Sequence, residues 1–222
     1  MLATGKKIKK DRIMFVEPMS HYRRWVGGSW PEVQKWQFDF ITQQMLAYHP
    51  EKTFLDIGCG SLRLGAKLIP HHGVGKYIGL DTSHELINYG LDNEIRPGTV
   101  EEKKPRFIVT SEFDYSELGD EKVDIAWAFQ LWFHLPLELF KQGLRNTREV
   151  LKDDGALFSS FTSVPPDPEM EKPTDDYVYD YYQRVFWRWP EDLPAIFNEC
   201  GLSYEYRGST IRAGNLIRSV KI

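Results

Sequence analysis

The sequence predicts an α/β protein, a mostly parallel sheet with helices on both faces. Three observations predict it. Short apolar runs of strand length alternate with stretches of helical spacing from residue 53 to residue 161. The sharpest of those runs, Phe54-Leu55-Asp56-Ile57, ends in a Gly-x-Gly turn, Gly58-Cys59-Gly60, that leads into a helical pattern. The length of 222 residues suits one ordinary domain with a full core and is short for two.

Taken in chain order, Met1 to Lys10 is basic but carries no apolar h-region and no small-residue cleavage site, so it reads as a frayed tail rather than a signal peptide. Glu32 to Tyr48 has helical periodicity and is expected to form an added N-terminal helix. Strands are expected over Thr53 to Ile57, Tyr77 to Leu80, Phe107 to Thr110, Val123 to Phe129 and Ala156 to Phe161. Between them, Leu62 to Ile69, His84 to Asn93 and Leu137 to Leu151 are spaced as helices. The last of these opens after Pro136 and closes at Asp153, Asp154 and Gly155. Val164 to Asp176, rich in Pro, Asp and Glu, is a loop or excursion. A helix near Glu191 to Glu199, stopped by Gly201, then precedes two strands at Leu202 to Tyr206 and Asn215 to Val220. A strand pair after a parallel sheet suggests an antiparallel hairpin at its edge. The expected organisation is a tail and helical cover over 1–50, a binding core over 51–161, an aromatic cover over 162–190, and a final helix and strand pair over 191–222.

Composition narrows the function classes. Twenty-eight Lys and Arg against 32 Asp and Glu give a net charge of −4, which argues against a generic nucleic-acid binder, since phosphate binding needs excess positive charge. No run approaches the roughly 20 apolar residues that span a bilayer, so a soluble protein without membrane partners is expected. Two cysteines, Cys59 and Cys200, make neither a disulfide framework nor a four-ligand zinc site, and a reducing, cytoplasmic setting is the default. His71-His72 lacks a third ligand and reads as solvated, and no carboxylate cluster argues for a metal. Aromatics reach 14% and concentrate in Tyr22 to Phe40 and Tyr177 to Trp189, which either cover a ligand or seal the core.

Chemistry is carried by the strand ends. In α/β sheets the ligand lies beyond the carboxyl ends of the strands, where glycines let it approach the backbone. A dinucleotide fingerprint would need a third Gly at the position of Arg63, so a nicotinamide-dependent reductase is disfavoured. A second strand, Tyr77-Ile78-Gly79-Leu80-Asp81, ends in an acid suited to accept both hydroxyls of a ribose; the bland alternative is a solvated strand-end Asp.

With these motifs the sequence resembles the class I S-adenosylmethionine-dependent methyltransferases, over roughly Gln37 to Gly155 and on toward the C-terminus. It also resembles a narrower bacterial group, some of whose members lie in sugar or natural-product gene sets. The matching segments are Val26-Gly27-Gly28-Ser29-Trp30, Gln37-Phe38-Asp39-Phe40, Gly58 to Arg63, and Trp132-Phe133-His134-Leu135-Pro136. The resemblance implies a Rossmann-like, mostly parallel seven-stranded sheet with an antiparallel last strand, and S-adenosylmethionine as cofactor. It implies that Asp56, Gly58 and Gly60 surround the methionyl part and Asp81 the ribose, with Glu112 and Phe113 at the adenine and Asp114 the rival of Glu112. The superfamily often has a further Gly where this chain has Leu62. Arg63 either pairs with the methionyl carboxylate, beside a helix start near Leu62, or makes a surface ion pair.

The acceptor side is expected after the fourth strand, where Phe129 and Gln130 border the cofactor. His134 is the candidate general base, because imidazole ordinarily titrates near neutrality; its alternative is a hydrogen bond to a backbone carbonyl at the helix entry. Trp132, Tyr182 and Trp187 are expected to face the acceptor, and Cys59 to be a packing residue. The resulting expectation is methyl transfer to an oxygen of a small molecule or saccharide. The alternatives are a small-amine N-methyltransferase and a catalytically silent partner subunit.

Overall fold

A computed structural model of the chain describes residues 21–26, 29–45, 48–161, 178–180, 185–210 and 214–222. Helix α1 (His21–Trp25) is followed by α2 (Trp30–Asp39), which continues as one wider π turn over Phe40–Gln44. Then come β1 (Phe54–Ile57), α3 (Gly65–His71), β2 (Tyr77–Asp81), α4 (His84–Asn93), α5 (Thr99–Lys103), β3 (Arg106–Val109) and β4 (Val123–Ala128). After a 3-10 turn at Trp132–His134 the chain forms α6 (Leu137–Val150), β5 (Leu151–Phe161), β6 (Val178–Asp180), β7 (Val185–Trp187), α7 (Leu193–Glu199), β8 (Glu205–Ser209) and β9 (Asn215–Ser219).

Seven strands make one sheet in the order β3-β2-β1-β4-β5-β9-β8, while β6 and β7 pair as a separate hairpin. The first five are mutually parallel; β9 runs antiparallel beside β5, and β8 antiparallel beside β9. This is the expected sheet, with the antiparallel β8–β9 hairpin at its edge and the last strand, β9, antiparallel beside β5. Strand alternation divides the core into two layers. Leu55, Ile57, Ala126 and Ala128 face α6 and α7 through Phe140, Leu144 and Phe197. Phe54, Tyr77, Ile125 and Trp127 face α2, α3 and α4 through Val33, Leu68 and Ile87.

Several boundaries differ from expectation for local reasons. The helix expected from Leu62 begins at Gly65, because Leu62 adopts φ +60, a left-handed conformation that cannot propagate a right-handed helix. Residues 153–155 do not end α6 but lie in β5, which already pairs at Leu151 and takes a bulge opposite Val123. Gly155 suits that bulge, since a Cβ there would lie 3.0 Å from the Lys152 nitrogen and the Val123 carbonyl oxygen. Leu202 makes only an isolated bridge to Lys221, and β8 starts at Glu205. Helix α5 and the β6–β7 hairpin had no sequence signal. The tail Met1 to Lys10 and the loop Val164 to Asp176 lie outside the described residues.

Candidate active site

At the carboxyl ends of β1, β2 and β4 lies a cavity of about 690 Å³, within the range of small-ligand sites. Asp56, Gly58, Gly60, Arg63, Asp81, Phe129, Gln130 and His134, spread over about a third of the chain, all line it. The glycine loop shapes its floor. Gly58 and Gly60 have φ of +75 and +55, and the adjacent strand β2 receives the loop through hydrogen bonds from the Gly58 and Cys59 amides to the Leu80 carbonyl. A Cβ at Gly60 would stand 2.5 Å from Val26 Cγ1, and one at Gly58 would press on Leu131 at 3.3 Å, so space is short at Gly60 and the positive φ favours glycine at both positions.

Asp81 caps this floor. Its Oδ2 accepts the Gly60 amide at 2.8 Å and its Oδ1 the Ser83 amide at 2.9 Å, which ties the ends of β1 and β2 together. Each carboxylate oxygen keeps a further lone pair for a ligand hydroxyl. Asp56 is buried, and Tyr77 donates its hydroxyl to Asp56 Oδ2 at 2.6 Å. Burial pushes the Asp56 carboxyl up to about 7, against the Tyr77 hydrogen bond and the Arg63 charge, with Asp81 adding to the rise. Cys59, also buried, has its thiol pushed well above its ordinary value by burial and by the Asp56 and Asp81 charges, so it is a neutral packing group.

Arg63 lines the cavity wall. Its Nη1 donates to the Val26 carbonyl at 3.2 Å, and its guanidinium stands 5.8 Å from the Phe129 ring centre. Phe129 in turn stacks on Trp127, whose indole N–H donates to Gln37 Oε1 at 3.0 Å. Gln130 takes φ +56, held there by its amide donating to Ser160 Oγ at 2.7 Å. The strained turn brings the chain round to the 3-10 turn that carries His134, an exposed side chain at the cavity mouth.

Helix α1 forms the opposite wall, through His21, Tyr22 and the following Val26. It is fastened to α4 by the Tyr22 ring stacked on Tyr89 at 4.5 Å and by Arg23 forked onto Glu94, both bonds 2.6 Å.

Three expected residues lie elsewhere. Trp132 is fully buried, its indole N–H donating to Ser159 Oγ at 2.9 Å, and is a core residue rather than an acceptor contact. Phe113 is buried against Trp132, with ring centres 5.6 Å apart, and does not line the cavity. Glu112 points to solvent while its carbonyl accepts Gln142, and its rival Asp114 is likewise exposed, accepting the Ser116 amide in a local turn. The β3 end therefore stops short of the cavity, and Thr82, Ser83, Glu85 and Leu86, just after Asp81, line that side instead. Their nearness in sequence to the strand-end acid was the available signal. Tyr182 lies outside the described residues, and of Trp187 only the backbone is described, in β7. His72 is buried, not solvated as expected, and contacts Tyr48 and Phe54 at the far end of β1. Among the described residues no group of three His, Cys, Asp or Glu could hold a metal ion, and no helix is long and apolar enough to cross a membrane.

Residues 55–157 match the family model described as a methyltransferase domain. No curated protein matches the chain significantly. Among solved structures, the CcbJ methyltransferase from Streptomyces caelestis is similar at a TM-score of 0.65 and 14% identity, covering 90% of this chain and 94% of that one. Magnesium protoporphyrin IX methyltransferase from Synechocystis PCC 6803, with bound S-adenosylmethionine, is similar at 0.57 and 14% identity, covering 86% and 79%. The O-methyltransferase NcsB1 of neocarzinostatin biosynthesis, in complex with S-adenosylmethionine and 2-hydroxy-5-methyl naphthoic acid, is similar at 0.58 and 15% identity; 82% of this chain is covered, but only 53% of NcsB1. The chain likewise spans about half the length of two more such structures, 54% and 55%. These likenesses, at 14–15% identity, show the fold, and the match to the methyltransferase-domain model is a likeness of residues 55–157.

Proposed function

We propose that the protein transfers a methyl group from S-adenosylmethionine to an oxygen of a small molecule or saccharide, with His134 as general base. The observation that carries the reading is that His134 opens onto the same cavity as Asp56, Asp81 and the glycine loop. The cavity's donor set fits the cofactor: two glycines at positive φ, a strand-end carboxylate with unused lone pairs, and an arginine on the wall. In this reading Asp81 receives the ribose hydroxyls, and Gly58, Gly60, Arg63, Phe129 and Gln130 enclose the rest. When bound, S-adenosylmethionine supplies an electrophilic methyl group. The protein's own task is then to align the acceptor oxygen, exclude water and take up the acceptor proton. The NcsB1 complex, with its hydroxylated naphthoic acid, supports an oxygen acceptor of small size.

The test is a screen of hydroxylated small molecules and saccharides with labelled S-adenosylmethionine, run on the wild type and His134→Ala. Turnover on the accepted substrate is expected to fall about 100-fold or more in the variant, the usual share of a general base. Affinity for S-adenosylhomocysteine is expected to stay within about twofold, since His134 sits at the mouth. Equal turnover by His134→Ala between pH 6 and 9, or transfer to amines only, would overturn the assignment.

A further inference from the structure

Arg188 stands immediately after β7 and is only 2% exposed, although its guanidinium keeps its charge at any ordinary pH. Its Nη1 donates to the Trp132 carbonyl at 3.2 Å and its Nη2 to the Leu135 carbonyl at 2.6 Å. Those two carbonyls bracket His134: Trp132 opens the 3-10 turn and Leu135 follows it. The guanidinium also lies 4.9 Å from the Phe140 ring centre of α6 and 5.9 Å from that of Phe186 in β7, wedged between helix and hairpin. A buried carbonyl needs a partner, but a neutral amide supplies one, and burying a full charge for that purpose alone is costly. What the planar fork adds is a fixed geometry between two acceptors at once. On its other side the turn is held by β5, where Ser160 Oγ accepts the Gln130 amide and Ser159 Oγ accepts the Trp132 indole N–H. Within it the His134 amide donates to the Leu131 carbonyl at 2.9 Å, and the buried Phe133 ring centre lies 4.4 Å from that of the imidazole. His134 is thus the exposed member of a turn whose backbone is anchored at both ends.

We infer that Arg188 is a positioning residue: by holding the carbonyls on either side of His134 it fixes where the imidazole stands at the cavity mouth, and it ties that position to the β6–β7 hairpin. The inference rests on the proposed role of His134 as general base, through which Arg188 acts. Arg188 itself is not among the residues that line the cavity, so its effect on the reaction is indirect. Removing a proton from an acceptor hydroxyl needs the base within hydrogen-bond reach, about 2.6–3.2 Å, and a misplacement near 1 Å is enough to slow transfer about 100-fold. Lysine does not replace the fork, because an ammonium is a point charge on a flexible stem. The glycine loop and Asp81 are fastened to one another and to β2, independently of this clamp, so loosening it leaves the cofactor side of the cavity as it is.

The experiment pairs histidine NMR, which needs no acceptor, with methyl transfer. In protein carrying isotope-labelled histidine, the imidazole signals of His134 and His72 are assigned by their loss from His134→Ala and His72→Asn. Arg188→Met, which keeps an unbranched stem without donors, is expected to shift or broaden the His134 signal and to leave that of His72, at the far end of β1, in place. With labelled S-adenosylmethionine and the same panel of hydroxylated molecules and saccharides, its turnover is expected to fall about 10-fold to 100-fold, with S-adenosylhomocysteine affinity within about twofold of wild type by calorimetry. Added to His134→Ala, the same substitution is expected to change turnover by less than about twofold, since a residue that acts through another then has nothing to act on. Arg188→Lys should fall between wild type and Arg188→Met, and it carries the same readouts if Arg188→Met does not fold. An unmoved His134 signal, a His72 signal that moves with it, or an equal loss of turnover with and without His134 would each overturn the inference and leave the base standing. Full turnover by His134→Ala would instead remove the base, while the His134 signal in Arg188→Met still reports whether the clamp holds the turn.

Discussion

Asp81 illustrates how one side chain both builds a site and remains available to it. Its two oxygens fasten the Gly60 and Ser83 amides, and a carboxylate still has capacity beyond two acceptances. Removing it therefore loses loop order and ligand contact together. Asp81→Ala is expected to weaken S-adenosylhomocysteine binding by about 2–4 kcal/mol, read by calorimetry, with the exposed Asp114→Ala as an unaffected control. Residues of this kind were legible in the sequence because an acid ending an apolar strand has few bland explanations. Leu62 and Gln130 were not: each sits at positive φ without being glycine, and only tertiary contacts, Ser160 Oγ for Gln130 and the α4 surface for Leu62, reveal why the conformation holds. Phe113 and Trp132 were misplaced for a related reason. An aromatic next to a strand end is equally suited to a ligand face and to the core, and here the core took both.

At the scale of elements, α4 is the backstop of the glycine loop. Leu62 is fully buried against it, and Gly90 provides the gap: a Cβ there would meet Leu62 Cγ at 2.6 Å and the Ser61 carbonyl carbon at 2.8 Å. In isolation Gly90→Ala would favour a helix by roughly 1 kcal/mol. In this position it must push the loop toward the cavity, and overpacking of about 1–3 kcal/mol is expected instead. S-adenosylhomocysteine binding should weaken about tenfold, and adding Leu62→Ala should restore part of it, as a double-mutant cycle by calorimetry would show. Helix α4 itself was legible to the residue, since Ser83 caps it by accepting the Leu86 amide and hydrophobic spacing runs through it. Helix α5 and the β6–β7 hairpin were not, being too short for a period to show. The α1 wall is a tertiary product as well: its five residues owe their place to Tyr89 and Glu94, far along the chain.

For the whole molecule, the charge that matters most away from the site is the one His72 does not carry. Burial lowers this imidazole from 6.5 to about 4, so the fold holds it neutral. Above pH 6.5 folded and unfolded chains are both neutral here and the contribution is complete. As pH falls toward 4 the unfolded chain binds a proton that the folded one refuses, and about 3 kcal/mol is lost. Asp56, raised in the fold, acts with the opposite sign over that range, so the comparison must be between wild type and a non-titrating His72→Asn. Urea unfolding should find the stability gap between them narrowing by about 3 kcal/mol from pH 7 to pH 4. The sheet order bears on how the chain is made. Strand β9 is wedged between β5 and β8, so β5 has no partner on that side until the last strand exists. On the ribosome, the nascent protein must carry an open strand edge through the synthesis of residues 162–214. During that interval β5 offers unpaired backbone donors and acceptors to any other chain nearby. Lengthening the 162–214 segment would prolong that exposure.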